Sequence, residues 1–217
     1  MATACVMATH PNEFHLLWFD PGSAATGWAH FIIHCRAFAR PERKITPNIE
    51  YWDCGEITGD DHEQYKQAST MAYNAHFNPA PYVARVRVGS EGYNLKQTIG
   101  SAENLLSPVR FNAVLSWEVA QHGLTLAEQQ PSMRGQMTAE RLQLLGFQGW
   151  PSKRWVKHGR GKDAFAAVQH AIVDLRRIKA ESRKRPWKLS DGASANTYWD
   201  CECDGGKPCD ITHFQDK

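Results

Sequence analysis

The stretch from Trp18 to Ala29, WFDPGSAATGWA, constrains the fold of this chain more than any other. An apolar run, Phe14 to Phe19, ends in Asp20, and a Pro-Gly turn follows. A second apolar run, Trp28 to Ile33, begins a few residues later. Apolar runs around a turn signal predict two antiparallel strands. Because the first run is almost wholly apolar, we expect it to be buried on both faces, with Asp20 where the sheet meets water.

The next segments predict a sheet of mixed direction. A third strand fits Ile49 to Ile57, which makes the opening an antiparallel meander. A helix fits Asp60 to Asn78, and a second helix fits Leu95 to Leu106, where Ser-Pro follows. The short apolar run Ala113 to Trp117 ends in Glu118. Its position after a helix predicts a parallel strand beside the first strand.

The second half of the chain is read as mainly helical. Gln121 to Pro131 has the composition of a loop, and Met137 to Phe147 carries apolar residues in a helical context. The stretch from Lys157 to Lys162 is a glycine-containing basic loop. Asp163 then opens the clearest helix of the chain, whose apolar stripe is expected to pack in the core. The stripe consists of Phe165, Val168, Ile172 and Leu175.

Length and composition favour one folded domain with short appendages. The chain has 217 residues, of which 42% are hydrophobic and 11% aromatic, enough to fill a core. We expect an N-terminal arm (1–13), a folded domain (14–188) and an acidic, cysteine-rich tail (189–217). No run reaches the roughly 18 apolar residues of a membrane span, and no secretory signal is recognisable at the start. These features predict a cytoplasmic protein.

The formal charge of +2 conceals a strong asymmetry. Residues 151–190 hold 12 Lys or Arg against 3 Asp or Glu, while the rest of the chain is acidic. A charge run is often a solvated helix face, but basic residues this dense favour a polyanion partner. The segment therefore predicts contact with nucleic acid.

Three acids stand in matching contexts. Asp20 and Glu118 each end a predicted strand, and Asp163 lies in the first turn of a helix. Each has a structural alternative: a turn residue, an exposed strand end and a helix N-terminal residue, respectively. Taken together, carboxylates that converge at one end of a sheet predict a site for Mg²⁺ or Mn²⁺, which prefer oxygen ligands.

Five short blocks of the sequence occur in the order found in one known family. Together they resemble the RuvC-like Holliday junction resolvases of the RNase H-like (retroviral integrase) superfamily, in the divergent form of a phage-encoded member. The resemblance spans about residues 14–177, and 60–110 match nothing in it. The blocks are Phe19-Asp20-Pro21-Gly22 with Thr26-Gly27-Trp28-Ala29, Cys54-Gly55-Glu56-Ile57, Val114-Leu115-Ser116-Trp117-Glu118, Pro151 to Lys157, and Lys162-Asp163-Ala164 with His170-Ala171.

The resemblance implies an RNase H-like fold, an α/β architecture with a central five-stranded mixed sheet flanked by helices. It places the family's catalytic acids on Asp20, Glu118 and Asp163. It further implies a homodimer that resolves four-way DNA junctions by paired nicks. Two Mg²⁺ or Mn²⁺ ions per site would support hydrolysis without a covalent enzyme intermediate.

The chain departs from the family near the last helix. Many members carry a second acid three residues before the helix-start Asp, where this chain has Arg160. His158 is one substitute, although a solvated loop histidine is the simpler interpretation. His170 lies two helical turns beyond Asp163, so we expect a packing or DNA-side role for it. The predicted DNA-binding residues are Lys153, Arg154, Lys157, His158, Arg160 and Lys162.

The tail holds a second candidate metal site. Three thiols and an imidazole fit a structural Cys₃His zinc site, with free cysteines in an acidic tail as the alternative. The residues are Cys201, Cys203, Cys209 and His213.

These observations lead to the hypothesis of a Mg²⁺-dependent endonuclease that resolves branched DNA. Two alternatives stay open: a related nuclease that cuts flaps, forks or RNA–DNA hybrids, and a protein of this fold that binds branched DNA without cutting it.

Overall fold

A computed structural model describes residues 13–34, 49–77, 85–92, 102–145 and 161–184. These residues contain five strands, four α-helices and one 3₁₀ helix. The strands are β1 (Glu13–Pro21), β2 (Ala25–His34), β3 (Ile49–Thr58), β4 (Arg85–Glu91) and β5 (Ala127–Gln129). The α-helices are α1 (Asp61–Phe77), α2 (Ala102–Gln121), α3 (Ala139–Leu144) and α4 (Lys162–Lys184), and the 3₁₀ helix is Pro131–Gln136.

The strands form one sheet in the order β3-β2-β1-β4-β5. β1, β2 and β3 pair antiparallel, whereas β4 pairs parallel with β1 and β5 pairs parallel with β4. The predicted meander and the five-stranded mixed sheet flanked by helices, as implied for an RNase H-like fold, are therefore confirmed. β1 lies at the centre, and its residues are buried from Glu13 to Asp20, as its apolar composition predicts.

The sheet separates two apolar cores. Alternate residues of β1 point to opposite faces, so Leu16 and Trp18 lie on one side while Leu17 and Phe19 lie on the other. The first side packs against α4, which we call the α4 face. The second side packs against α1 and α2 and is called the α1–α2 face. Burial of each helix's apolar stripe stabilises both layers.

The predicted strand from Ala113 to Glu118 is wrong, because this segment belongs to helix α2. Phe111, Leu115 and Val119 are spaced by four residues and are buried against the sheet, as one face of a helix requires. The fourth strand is instead Arg85–Glu91, in the segment before helix α2. The predicted end of the preceding helix at Leu106 is also wrong, since α2 continues through Pro108.

The other segment predictions had mixed outcomes. The helices predicted after Asp60 and at Asp163 are confirmed as α1 and α4. The segment interpreted as a loop contains the short strand β5, and the helix predicted from Met137 is the shorter α3. Cys54 is buried in the core on the α4 face, where it packs as a small apolar residue.

Several predictions fall on residues that the structure does not describe. The arm up to residue 12, residues 157–160 of the basic loop and the tail from residue 189 all lie outside the described ranges. Within those ranges, no helix has both the length and the hydropathy needed to cross a membrane.

Candidate metal centre

One row of residues crosses all five strands at the same level of the sheet. Asp20 lies opposite Gly27, and Gly27 lies opposite Glu56. On the parallel side, Asp20 and Glu91 directly follow the last paired residues of β1 and β4, and Glu91 lies opposite Gln129. From one edge strand to the other, this site row consists of Glu56, Gly27, Asp20, Glu91 and Gln129.

The site row faces helix α4. Trp18, two residues before Asp20 on the same face of β1, belongs to the core that α4 covers. Gly27 provides the closest approach, because a Cβ atom there would overlap the backbone of Asp163. A glycine at this position therefore lets the N-terminus of α4 lie directly on the sheet, beside Asp20.

Asp20, Glu91 and His170 form the centre of the site. One ligand atom from each lies within 4.8 Å of the others. His170 Nε2 lies 2.7 Å from Glu91 Oε2. His170 is fully buried and Asp20 is buried, so this cluster lies at the bottom of the interface between the sheet and α4.

Two neighbours fix the ring of His170. The Gln129 side chain donates through Nε2 to the His170 carbonyl oxygen at 3.3 Å, which directs Oε1 of the amide towards His170 Nδ1, 3.0 Å away. Nδ1 therefore carries a proton and donates it to Gln129, while Nε2 faces the carboxylates. The indole of Trp18 stacks on the other side, with ring centroids 6.0 Å apart. Gly89 leaves room for that indole, because a Cβ atom there would overlap it.

The acids perturb each other strongly. Burial, together with the nearby Glu91, raises the pKa of Asp20 to about 9, and Arg134 opposes this shift. Burial also acts to raise the pKa of Glu91, but hydrogen bonds from His170 and Asp20 lower it below its ordinary value. At neutral pH, Asp20 thus keeps a proton that it shares with ionised Glu91.

Arg134 supplies positive charge at the mouth of the site. Its Nη1 atom lies 3.4 Å from Glu91 Oε2 and 3.7 Å from Asp20 Oδ1, and its side chain is 43% exposed. The 3₁₀ helix that carries Arg134 packs beside α4. The guanidinium therefore favours the ionised form of both acids from the mouth of the site, and it lowers the pKa of each.

Asp163 lies on the far side of Asp20 from His170. Its backbone packs on Gly27, the residue opposite Asp20 in the sheet, and its charge contributes to the raised pKa of Asp20. Partial burial raises the pKa of Asp163 itself, with Lys162 opposing the shift and Glu56 adding to it. The backbone N–H of Asp163 donates to Glu56 Oε1 at 3.1 Å. α4 therefore brings two side chains to the site row, Asp163 at its first turn and His170 two turns later.

The structure brings together only two of the three predicted acids. Asp163 lies on the same row as Asp20, because its backbone packs on Gly27, but Glu118 lies on helix α2, where its Oε1 is 3.5 Å from His122 Nε2 of the next turn. The acid at the end of the strand parallel to β1 is Glu91, the last residue of β4. Val86 and Val88 of β4 did carry an alternating strand pattern, but Gly89 and Ser90 before the acid weakened it.

His170 does more than pack in the core: its ring stacks on Trp18 and also contacts Glu91. Of the predicted DNA-binding residues, Lys162 is exposed at the start of α4. The remaining predicted ligands and contacts lie outside the described residues. They are Lys153, Arg154, Lys157, His158, Arg160, Cys201, Cys203, Cys209 and His213.

The donor set fits a divalent cation. Two carboxylates and the unprotonated Nε2 of an imidazole are ordinary ligands of Mn²⁺ and related ions, and the imidazole favours Mn²⁺ over Mg²⁺. The protons that now bridge Asp20, Glu91 and His170 are those that a cation would replace. Gln129 hydrogen-bonds Nδ1 in the manner usual for a metal-ligating histidine.

No family model and no curated protein sequence matches the chain. Among solved structures, it is similar to two of Thermus thermophilus RuvC, one of them in complex with a Holliday junction substrate. The TM-scores are 0.46 and 0.45 at 12% identity, over 77% of this chain and 95% and 96% of those chains. The Aquifex aeolicus PPX-GPPA enzyme is similar at a TM-score of 0.31 and 10% identity, over 55% of this chain and 36% of that chain. The residue roles described above rest on the geometry of this chain alone.

Proposed function

We propose that this protein is a divalent-metal-dependent endonuclease. The observation that carries the proposal is the cluster of Asp20, Glu91 and His170, whose ligand atoms lie within 4.8 Å of one another, with Asp163 beside it. Acids that perturb each other this strongly inside a fold are typical of catalytic sites. Their mutual repulsion is a cost that binding a cation would relieve.

The residues divide the work of binding and orientation. Asp20, Glu91 and His170 would hold one cation, and Asp163 is placed to share a second with Asp20. A bound divalent ion lowers the pKa of a water molecule and stabilises charge on a phosphate group. Asp20 would give up its proton to solvent when a cation binds, and the guanidinium of Arg134, at the open side, would contact an anionic substrate.

We propose branched DNA, above all the four-way junction, as the substrate. Support comes from the sequence resemblance to RuvC-like resolvases and from the basic segment at 151–190. A homodimer with one site per subunit would make paired nicks that leave 5′-phosphate and 3′-hydroxyl ends. Flaps, forks and RNA–DNA hybrids are alternative substrates, and binding without cleavage is the alternative function.

The test is single-turnover cleavage of a synthetic four-way junction beside a flap, a fork and an RNA–DNA hybrid. Each substrate is incubated with Mg²⁺, with Mn²⁺ or with EDTA, and wild type is compared with Asp20→Asn. Paired symmetric nicks that require metal and Asp20 would support a resolvase. Cleavage of flaps or hybrids alone would give the alternative substrate, and binding without cleavage would contradict the nuclease.

We also propose the structural zinc site at Cys201, Cys203, Cys209 and His213. One equivalent of zinc retained after dialysis, and lost on Cys203→Ser, is the expected result. Absence of zinc from the purified wild-type protein would contradict the site.

A further inference from the structure

The two edge strands each contribute one polar residue to the site row, and both contact α4. Glu56 comes from β3 and Gln129 from β5, so the two residues lie at opposite ends of the row. Neither belongs to the cluster of ligand atoms formed by Asp20, Glu91 and His170. Glu56 instead contacts Asp163, and Gln129 contacts His170, the two residues that α4 brings to the site row.

Glu56 meets the start of the helix. Its Oε1 accepts the backbone N–H of Asp163 at 3.1 Å, one of the N–H groups that a helix cannot satisfy internally. Gly161 leaves space for this contact, because a Cβ atom there would lie 2.5 Å from Glu56 Oε1. Gly27, opposite Glu56 in the sheet, leaves space for the Asp163 backbone. The backbone of Asp163 thus packs on Gly27 on one side, and its N–H donates to the Glu56 carboxylate on the other.

Gln129 meets the helix two turns later. It contacts His170 twice, by donating to the carbonyl oxygen and by accepting from Nδ1. The first bond fixes the orientation of the amide, and the second fixes which ring nitrogen carries the proton. Gln129 is buried, so water does not readily replace either bond.

We propose that Glu56 and Gln129 are positioning residues, which hold Asp163 and His170, respectively, at the metal centre. This inference rests on the proposed metal centre and deepens it. Glu56 acts as a hydrogen-bond acceptor for the helix start, and its negative charge is not what Asp163 needs. Gln129 acts by presenting Nε2 of His170 to the ion. The edge strands thereby set the register of α4 against the central strands.

The experiment compares truncating and conservative variants of each residue. Glu56→Ala removes the acceptor, whereas Glu56→Gln keeps an oxygen acceptor and removes the charge. Gln129→Ala removes both bonds, whereas Gln129→Glu keeps the acceptor for Nδ1. Gln169→Ala is the matched control, because Gln169 on α4 donates to the Met137 carbonyl oxygen and contacts neither Asp163 nor His170 through that bond.

Metal affinity is measured by Mn²⁺ titration without DNA. We expect both alanine variants to bind about 10- to 100-fold more weakly than wild type, as is usual when the partner of a metal ligand is removed. Glu56→Gln and Gln129→Glu should recover most of that loss, and Gln169→Ala should bind like wild type. A Glu56→Gln variant as weak as Glu56→Ala would overturn the acceptor role, and alanine variants that bind like wild type would overturn the inference altogether.

Two readouts need no metal and separate this inference from the proposed function. Hydrogen exchange of the Asp163 amide should accelerate in Glu56→Ala and stay slow in Glu56→Gln. The imidazole ¹⁵N shifts of His170 should report a fully protonated Nδ1 in wild type and a lower degree of protonation at Nδ1 in Gln129→Ala. If wild type bound no Mn²⁺, the metal centre would fail, while these two signals would still support or overturn the positioning roles.

Discussion

Both faces of the sheet pack against helices, but the two faces hold different polar groups at the level of the site. On the α1–α2 face, polar groups at the level of the site form neutral pairs: Thr26 donates to Gln64 and Ser90 donates to Asn112, both at 2.6 Å. On the α4 face, the same level of the sheet holds Asp20, whose pKa burial raises to about 9. Neutral satisfied pairs stabilise a fold, whereas clustered acids lower its stability.

The difference agrees with the proposed metal centre on the α4 face. A sheet backed on both sides by apolar helices gains nothing in stability from acids on one side. The α1–α2 face therefore serves as the scaffold and the α4 face as the site. Substitutions on the two faces should accordingly change different measurements.

Asp20→Asn should give the largest effect. Cleavage of the susceptible DNA should fall by about three orders of magnitude or more, because several kcal/mol of metal-dependent stabilisation are lost. In metal-free buffer at pH 8, the same variant should melt a few degrees above wild type, because a buried acid is replaced by a neutral amide. Loss of activity together with a lower melting temperature would place Asp20 among the scaffold residues.

Gly27→Ala should have the next largest effect. The added Cβ meets the backbone at Asp163, so the start of α4 must move, and a shift of about 1 Å costs roughly 100-fold in rate. Gly135→Ala is the control, since a Cβ at Gly135 meets nothing within 4 Å. Equal rates for Gly27→Ala and wild type would show that the contact between β2 and α4 does not set the site.

The pH dependence of metal binding distinguishes the faces further. Asp20 holds a proton below about pH 9, and the cation must displace it, so affinity is lost as the pH falls and gained as it rises. Between pH 6 and pH 8 the Mn²⁺ association constant should increase by at least about tenfold per pH unit, which is the contribution of the Asp20 proton. Calorimetric titration at three pH values measures it. An association constant that did not change over this range would mean that Asp20 is ionised without metal.

Phe111→Leu should have the smallest effect and should act on stability alone. Phe111 packs edge-on against Phe19 and Tyr65 on the α1–α2 face. The smaller side chain should lower the free energy of unfolding by about 1 to 2 kcal/mol and the melting temperature by a few degrees. Cleavage and metal affinity should match wild type. A large loss of either would show that the scaffold face also shapes the site.

The central part of the fold could be predicted from the sequence because the signals there depend on neighbouring residues. The apolar run before Asp20, the Pro-Gly turn and the returning strand each depend on neighbouring residues, and β1 and β2 pair as predicted. The helix that begins near Asp163 has a long apolar stripe, and its position was equally clear.

The fourth strand could not be predicted reliably, because two signals were misleading. Pro108 indicated a helix end, yet it lies inside α2, where packing of Phe111 and Leu115 against the sheet outweighs its cost. Val114 and Trp117 then resembled a buried strand, although Trp117 is 64% exposed. With α2 misread, the strand-end acid was assigned to Glu118.

His170 and Gln129 could not be paired from sequence spacing. They are 41 residues apart, and they meet only because β5 lies beside β4 under the second turn of α4. The register across five strands, which aligns Glu56, Asp20 and Glu91, is likewise a tertiary property. The sequence could therefore indicate an acidic site near Asp20 but not its full set of residues.

The most direct measurement compares Glu91→Gln with Glu118→Gln in a Mn²⁺ titration of the purified protein. Each variant removes one negative charge. Glu118 is the acid expected from the sequence, whereas Glu91 is the one that contacts His170. Binding that is lost in Glu91→Gln and unchanged in Glu118→Gln is the expected result. Unchanged binding in Glu91→Gln, with loss in Glu118→Gln, would contradict the metal centre at the site row.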